Sequence, residues 1–220
     1  MLSLPLLVVL PLLLRADRLN LSEQFTCRLV EIDDTDGGVI TVNETLVEDP
    51  TNRRSRMVAD GPLLQGGHIE QIRRCDIEPK GYFIDIHGNA DTAPSSWSCR
   101  NESIDPSPSS CQWSKFWDIP ANATSNGTTL VINGEEALAW TYWDDGAQFS
   151  IYATPNGSVP LRLAKLSVTV PGQHLWHYDI FDFRPGKPDI SLFDPTPGVV
   201  CKSEDIVKTN DEQEHGLDMA

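Results

Sequence analysis

The chain has 220 residues, of which 40% are hydrophobic and 22% are charged, enough for one globular domain with a core. Its 32 acidic residues outnumber 17 basic ones and give a formal net charge of -15, which argues against a nucleic-acid partner because phosphates would be repelled. Sixteen Pro, 15 Gly and six Trp favour a turn-rich β protein over a helical bundle, since Pro and Gly interrupt helices.

The chain opens with an uncharged apolar run, Leu2 to Leu14. This run is shorter than the roughly 20 residues that a bilayer-spanning helix needs, so we predict a signal peptide over residues 1–16. No Lys or Arg precedes the run, and Arg15 comes just before the small residue Ala16, so an uncleaved anchor is the alternative.

Asn-x-Ser/Thr triplets are more frequent than this composition would produce by chance. Six are present, and none has Pro at its middle position. Such triplets accept N-linked glycans in the secretory pathway, so we predict an extracellular glycoprotein, with the lysosome lumen as the alternative location. Asn20 lies too close to the predicted mature N-terminus for us to expect its use. The predicted glycosylation sites are Asn43, Asn101, Asn122, Asn126 and Asn156.

The chain has five cysteines: Cys27, Cys75, Cys99, Cys111 and Cys201. In an oxidising compartment an odd number allows at most two intrachain bridges and leaves one thiol free, buried or joined to a second chain. No C-x-x-C pair and no Cys/His cluster is present, so the pattern favours disulfides over a structural zinc site.

Residues 137–183 predict an antiparallel meander of four strands. Apolar alternation is interrupted by the turn signals Asp144-Asp145-Gly146, Asn156-Gly157 and Pro171-Gly172. In the third strand the apolar phase slips by one residue, which predicts a β-bulge at Ala164-Lys165 and a curved sheet. Residues 39–47, 68–72 and 82–86 are further strand candidates, giving a sheet of about seven to eleven strands, while residues 90–120 are predicted as a loop.

The predicted β domain covers residues 17–201. Residues 202–220 carry six acidic side chains against two Lys, with few apolar residues. Such a segment cannot bury enough surface to become ordered, so it is predicted to be a disordered acidic tail.

No catalytic motif is present: the sequence has no Gly-x-Ser-x-Gly, HExxH, phosphate-binding Gly-rich loop or dinucleotide fingerprint. We therefore predict a protein that is not an enzyme, and a hydrolase is a remote alternative. His174 and His177 stand three apart, which on a regular strand directs them to opposite faces and argues against a shared metal ion.

An acidic cluster could offer oxygen ligands to Ca²⁺, but it does not match the EF-hand pattern, and a solvated turn is the favoured interpretation. We therefore predict no metal-binding residues and no cofactor, with Ca²⁺ left as a possible ion. The cluster consists of Glu31, Asp33, Asp34 and Asp36.

The apolar positions of the meander are the main candidates for function. In a closed sandwich they would form the core, and in a strongly curved sheet they would border a cavity for an acyl chain or another apolar ligand. The candidate ligand-binding residues are Leu138, Trp140, Tyr142, Phe149, Ile151, Leu161, Leu163, Leu166 and Val168.

From Phe116 onward the chain resembles the C-terminal half of the ependymin family. The segment 116–124 is similar to an Asp-Ile-Pro motif followed by a glycosylation triplet, and Val159-Pro160 follows a hairpin turn as in that family. Further matching positions are Tyr178, Asp179, Ile180, Asp189, Phe193, Pro195, Pro197 and Cys201. The likeness covers about 85 residues, and the N-terminal half is much vaguer.

The resemblance implies a secreted or lysosomal glycoprotein, often a homodimer, with a strongly curved antiparallel sheet of the LolA-like half-barrel kind and few short helices. It also implies a hydrophobic pocket, calcium binding, anionic lipids and cell–matrix contact. By position it pairs Cys99 with Cys201. The chain has Ser158 where the family has a cysteine, so Cys27 lacks the partner that the resemblance would give it.

Together these observations predict a non-enzymatic glycoprotein that binds a lipid or another apolar small molecule in the concave face of its sheet. The alternative function is calcium-dependent adhesion to the extracellular matrix, with no ligand in the interior.

Overall fold

A computed structural model describes residues 19–35, 37–61, 64, 67–77, 80–104, 116–117, 119–144, 146–167, 169–170 and 173–204. The predicted signal peptide, Val168, Asp36 and Cys111 lie outside the described residues, as does the predicted tail from residue 205. In the described part of the chain, no helix is both long enough and apolar enough to cross a bilayer.

Twelve strands make up almost all of the regular structure. They are β1 (Phe25–Asp33), β2 (Val39–Asp49), β3 (Arg54–Asp60), β4 (Gly67–Arg74), β5 (Gly81–Asn89), β6 (Ser98–Ile104), β7 (Thr124–Ile132), β8 (Glu135–Asp144), β9 (Ala147–Ala153), β10 (Pro160–Leu166), β11 (His174–Pro185) and β12 (Lys202–Glu204). Short 3₁₀ turns lie at Pro50–Asn52, Pro94–Ser96 and Ile190–Phe193.

The strands form one open sheet in the order β12-β6-β5-β4-β3-β2-β1-β11-β10-β9-β8-β7. Neighbours pair antiparallel, except β12, which lies parallel to β6. Two runs of consecutive hairpins, β1 to β6 and β7 to β11, are joined where β1 pairs with β11. The predicted all-β fold, with a large antiparallel sheet and few short helices, is confirmed. The predicted number of strands was too low.

The four predicted strands of the meander are β8 to β11, and the three other candidates coincide with β2, β4 and β5. Two predictions were wrong. The segment 90–120 contains β6, and the first residues of the predicted tail, Lys202–Glu204, form β12. Both strands are polar, so neither shows the apolar alternation that identifies a half-buried strand.

The predicted bulge at Ala164-Lys165 is absent, because these two residues pair regularly with Ser150 and Phe149 of β9. The register instead shifts beside Leu161, and again between Lys165 and Leu166, where β11 carries one extra residue, Leu175. The bulge that the change of apolar phase indicated therefore lies at other positions.

The register defines two faces of the sheet. The front face carries Leu29, Leu46, Trp140, Ile151 and Ile180, whose side chains are all buried. Phe25 and Cys27 extend this core on β1. Over β8 to β10, the front face is covered by a strap made of residues 19–21, 116–117 and 119–123. The strap residues that pack against the core are Leu19, Leu21, Trp117, Ile119 and Ala123.

The back face of β2 to β5 is covered by residues 189–201 and by Trp97. The Phe193 ring lies over the Arg54 guanidinium at 4.9 Å, and the Thr196 hydroxyl donates a 2.6 Å hydrogen bond to the buried carboxylate of Glu70. The Trp97 ring lies 4.3 Å from that of His68 and leaves no room for a Cβ at Gly88. A glycine is therefore required at that position of β5.

Charged side chains are buried beneath this cover. Arg54 donates hydrogen bonds of 2.9 Å and 2.7 Å to Asp49, and Arg56 donates one of 2.9 Å to Glu70. Gln24 and Asn52 also donate to the Asp49 carboxylate, which is completely buried. Burial alone would raise the pKa of Asp49, but these hydrogen bonds and the charge of Arg54 hold it below the ordinary value.

The predicted disulfide between Cys99 and Cys201 is confirmed, and it joins β6 to the chain leading into β12 across a sequence separation of 102. Cys75 is also disulfide-bonded. Cys27 is the free cysteine of the described chain. Burial, with the nearby charges of Glu48 and Glu44, raises the pKa of this thiol to about 12, so it stays protonated and unreactive.

Candidate functional site

Three of the predicted ligand-binding residues are core residues. Leu138, Trp140 and Ile151 are 3%, 2% and 0% exposed, because the strap packs directly on them. Their side chains contribute to the stability of the sheet, and they leave no surface for a ligand.

The expectation that all the predicted ligand-binding residues share one face was wrong. Leu161 packs with Tyr152 and Ala164 on the back face, and the register places Leu166 there too. The register shift beside Leu161 turns that side chain away from Leu163, which stays on the front face. Val168 lies outside the described residues.

The other predicted residues belong to an aromatic strip on the front face. The strip consists of Tyr142 on β8, Phe149 on β9, and Trp176 and Tyr178 on β11. Consecutive ring centroids are 5.7, 6.2 and 5.2 Å apart, and all four side chains are half-buried. Tyr142 and Phe149 are among the predicted ligand-binding residues, whereas Trp176 and Tyr178 are not, although the strand that carries them was predicted.

Charged residues lie in the middle of the aromatic strip, between Phe149 and Trp176, and at its Tyr178 end. Lys165 of β10 pairs with Phe149 on one side and with Trp176 on the other, so its side chain shares their face. At the Tyr178 end, Glu31 and Glu44 lie near the phenol; burial raises the pKa of Tyr178, and the two carboxylates raise it further. The Tyr178 hydroxyl therefore stays protonated and able to donate a hydrogen bond.

A second cluster of functional side chains lies on the back face of β9 to β11. His177 Nδ1 is 2.6 Å from Asp34 Oδ2, and His174 Nδ1 is 3.9 Å from the same oxygen. One ligand atom from each residue lies within 4.8 Å of the others. Burial lowers the pKa of His174; Arg162 and His177 act in the same direction, and Asp34 opposes them.

This cluster contradicts the expectation that His174 and His177 point to opposite faces. The extra residue Leu175 in β11 shifts the alternation by one, so both imidazoles lie on the back face. Asp34, in the turn after β1, donates its backbone N–H to the Leu175 carbonyl at 3.1 Å, which holds the turn against the bulge.

The acidic cluster that could have bound Ca²⁺ is dispersed. Asp33 accepts hydrogen bonds from the backbone N–H and hydroxyl of Thr35, Asp34 faces the histidines, and Glu31 lies near Tyr178. In the described part of this segment, the carboxylates do not converge on one point.

The predicted glycosylation sites differ in exposure. Asn43, Asn122 and Asn156 are exposed, while Asn101 is half-buried with its Oδ1 atom buried and without a hydrogen bond. A groove of about 240 Å³ lies elsewhere, near the β6 edge, where Arg73, Phe83, Glu102, Ser103 and Ile104 line it. None of the residues predicted to bind a ligand lies there.

Neither a protein-family model nor a curated protein matches the chain. Solved structures to which the chain is similar include an uncharacterized conserved protein from Thermus thermophilus, with 10% identity and a TM-score of 0.44 over 82% of this chain and 91% of that one. MucB is similar with 18% identity and a TM-score of 0.44 over 84% of this chain and 60% of MucB. PNGF-II has 6% identity and a TM-score of 0.35 over 82% of this chain and 32% of its own. Similarities at this level carry no information about function, and membership of the ependymin family stays a prediction.

Proposed function

We propose that the protein binds a lipid-like apolar ligand along the aromatic strip, with the ligand's polar end beside Lys165. The observation that carries this proposal is the continuous contact of four half-buried rings on a front face whose neighbouring core is already covered by the strap. The ligand would therefore lie next to the strap, and not over Trp140, where the sequence predicted the binding site.

Burial of apolar surface would supply the affinity. Each 100 Å² of apolar area removed from water contributes roughly 2.5 kcal/mol, less the cost of ordering the ligand. The rings keep part of their surface accessible, and each contacts another ring of the strip, so little side-chain entropy is lost on binding.

Lys165 would set the orientation of the ligand. The chain is strongly acidic, and Glu31 and Glu44 lie at the Tyr178 end of the aromatic strip, so an anionic headgroup is attracted to Lys165 and repelled from the Tyr178 end. This arrangement favours a single-chain carboxylate or phosphate amphiphile over a neutral hydrocarbon.

Fluorescence titration of the full chain with an anthroyloxy-labelled fatty acid tests the proposal. We expect saturable binding that weakens at least tenfold in Trp176→Ala. The matched control is Trp143→Ala, because Trp143 is 59% exposed and pairs with Gln148 on the back face. Lys165→Ala should weaken binding of the acid but leave binding of its methyl ester unchanged.

Absence of binding by the wild-type chain, or equal losses in Trp176→Ala and Trp143→Ala, would overturn the proposal. Calcium-dependent self-association of a chain that takes up no fatty acid would favour the adhesive alternative.

The proposal includes a secretory or lysosomal location. Its support is the disulfide between Cys99 and Cys201 and the exposure of Asn43, Asn122 and Asn156. Expression in a eukaryotic secretory host followed by enzymatic removal of N-glycans should lower the apparent mass. Unchanged mobility would contradict glycosylation.

A further inference from the structure

We infer that Asp34, His174 and His177 form a binding site for a divalent transition-metal ion, with Zn²⁺ as the expected occupant. This site is separate from the aromatic strip, which lies on the other face of the sheet, and it does not depend on the proposed function.

The positions of the three donors fit one small ion. A tetrahedral zinc ion with bonds of about 2.0–2.1 Å places its ligand atoms about 3.3 Å apart. The observed separations from Asp34 Oδ2, 2.6 Å to His177 Nδ1 and 3.9 Å to His174 Nδ1, lie on either side of this value. Small side-chain rotations would therefore bring all three donors to bonding distance.

The atoms behind the imidazoles support the same conclusion. His174 Nε2 is 3.0 Å from the Tyr152 hydroxyl, and His177 Nε2 is 3.8 Å from Asp179 Oδ1. A metal-bound imidazole usually donates its second N–H to a carboxylate or another oxygen, which fixes the ring orientation. Asp179 is itself held by a 2.6 Å hydrogen bond from Arg162.

His177 Nε2 is the most informative of these atoms. The His177 side chain is only 7% exposed, and this nitrogen is buried without a hydrogen-bond partner in the structure. With a metal ion on Nδ1, the ring proton must lie on Nε2, facing the Asp179 carboxylate. Occupation of the site would therefore place a proton on this buried nitrogen, and a small ring rotation that shortens the 3.8 Å distance to Asp179 Oδ1 would form the hydrogen bond that it lacks.

The donor set also selects the kind of metal. Two imidazoles and one carboxylate suit zinc, copper, nickel and iron, while Ca²⁺ and Mg²⁺ prefer a shell of oxygen atoms. Three protein ligands leave at least one position for water or another small ligand. Asp34 and His174 are partly exposed, so an ion can reach the site from solvent.

Isothermal titration of the metal-stripped full chain with Zn²⁺ tests the site. We expect one ion per chain, with affinity lowered at least 100-fold in the double variant Asp34→Asn, His174→Gln. The control is His87→Gln, because His87 also contacts an aspartate, Asp85, at 3.0 Å but lies on β5 away from the cluster. That variant should bind Zn²⁺ as the wild-type chain does.

Tyr152→Phe gives a finer test, because it removes the hydroxyl behind His174 and keeps the ring in its apolar cluster. We expect the affinity to fall about tenfold, as for other outer partners of metal ligands. Co²⁺ added to the wild-type chain should show visible ligand-field bands, which Zn²⁺ abolishes and Ca²⁺ does not.

The inference is overturned if the folded wild-type chain binds no Zn²⁺, or if the double variant, shown to be folded by circular dichroism, retains wild-type affinity. Stronger binding of Ca²⁺ than of Zn²⁺ would also overturn it.

Discussion

The chain segments that cover the two halves of the sheet lie on opposite faces. Around β3 to β5 the back face is covered, and the covered groups include charged side chains such as Arg54 and Glu70. Around β8 to β10 the front face is covered, and the covered groups are apolar, with Trp140 and Ile151 at the centre. The cluster of Asp34, His174 and His177 lies on the back of the second half, and the aromatic strip lies on the front, beside the strap.

Apolar alternation alone does not locate the site in this sheet. A sheet that is covered on the same side throughout has one core face and one solvated face. Here the covered side changes along the sheet, so a row of apolar residues is core in one place and accessible in another. The position of the covering segments decides between the two.

The largest expected effect comes from breaking the buried charges of the first half. Arg54→Met should lower the free energy of unfolding by about 3–5 kcal/mol, because it leaves the carboxylate of Asp49 buried without its main partner. The control is Arg28→Met, whose partner Asp182 is exposed and whose loss should cost under about 1 kcal/mol. Urea denaturation measures both, and equal losses would contradict the contrast.

Removing the disulfide between Cys99 and Cys201, which fastens the segment 189–201 over the back face, should have the next largest effect. The double variant Cys99→Ser, Cys201→Ser should lose about 2–5 kcal/mol, since the bridge closes a loop over a sequence separation of 102. Cys27→Ala, which removes a thiol that forms no bridge, is the control and should lose less. Thermal unfolding under non-reducing conditions compares the two.

Loosening the strap of the second half should have a smaller effect. Ile119→Ala removes half-buried apolar surface that packs over Trp140 and Ile151, and we expect a loss of about 1–2 kcal/mol. The same variant should bind more of a hydrophobic dye, because the front face becomes accessible. A dye signal equal to that of the wild-type chain would mean that the strap does not cover this face in solution.

The smallest expected effect is on acid stability. The pKa of Asp49 is lower in the folded chain than its ordinary value of 3.8, so its stabilising contribution is present above pH 3.8 and is lost as pH falls through the folded value. The unfolding free energy of the wild-type chain should therefore decline in this range. In Asp49→Asn the unfolding free energy should fall less steeply as the pH is lowered, with a slope against pH that is smaller by at most the contribution of one titrating proton. Urea denaturation at pH values between about 2 and 5 measures this slope.

Much of the fold could be predicted from the sequence, because β8 to β11 alternate clearly and turn residues separate them. β1 also alternates, with Phe25, Cys27 and Leu29 buried, so its signal was present and was missed. β3 was missed for a different reason: its buried residue Arg54 is charged, so it gives no apolar signal at a core position.

Less of the candidate sites could be predicted. The pair of histidines depends on the extra residue Leu175, and no turn residue or Gly marks that bulge. Their partner Asp34 is 143 positions away from His177, and only the pairing of β1 with β11 brings the two together. Likewise, the strap over Trp140 comes from short connecting segments whose apolar residues follow no strand or helix period.

The sheet order has a consequence for how the chain folds. Within β1 to β6 and within β7 to β11, each strand pairs with the next one along the chain, so local hairpins can form early. The junction between β1 and β11 joins residues about 150 positions apart, and until it forms β1 has an unpaired edge. We therefore expect this junction to form late and to limit the folding rate. Mutations in it, such as Ile180→Val, should then slow refolding, whereas mutations in contacts that form after the junction should mainly speed unfolding.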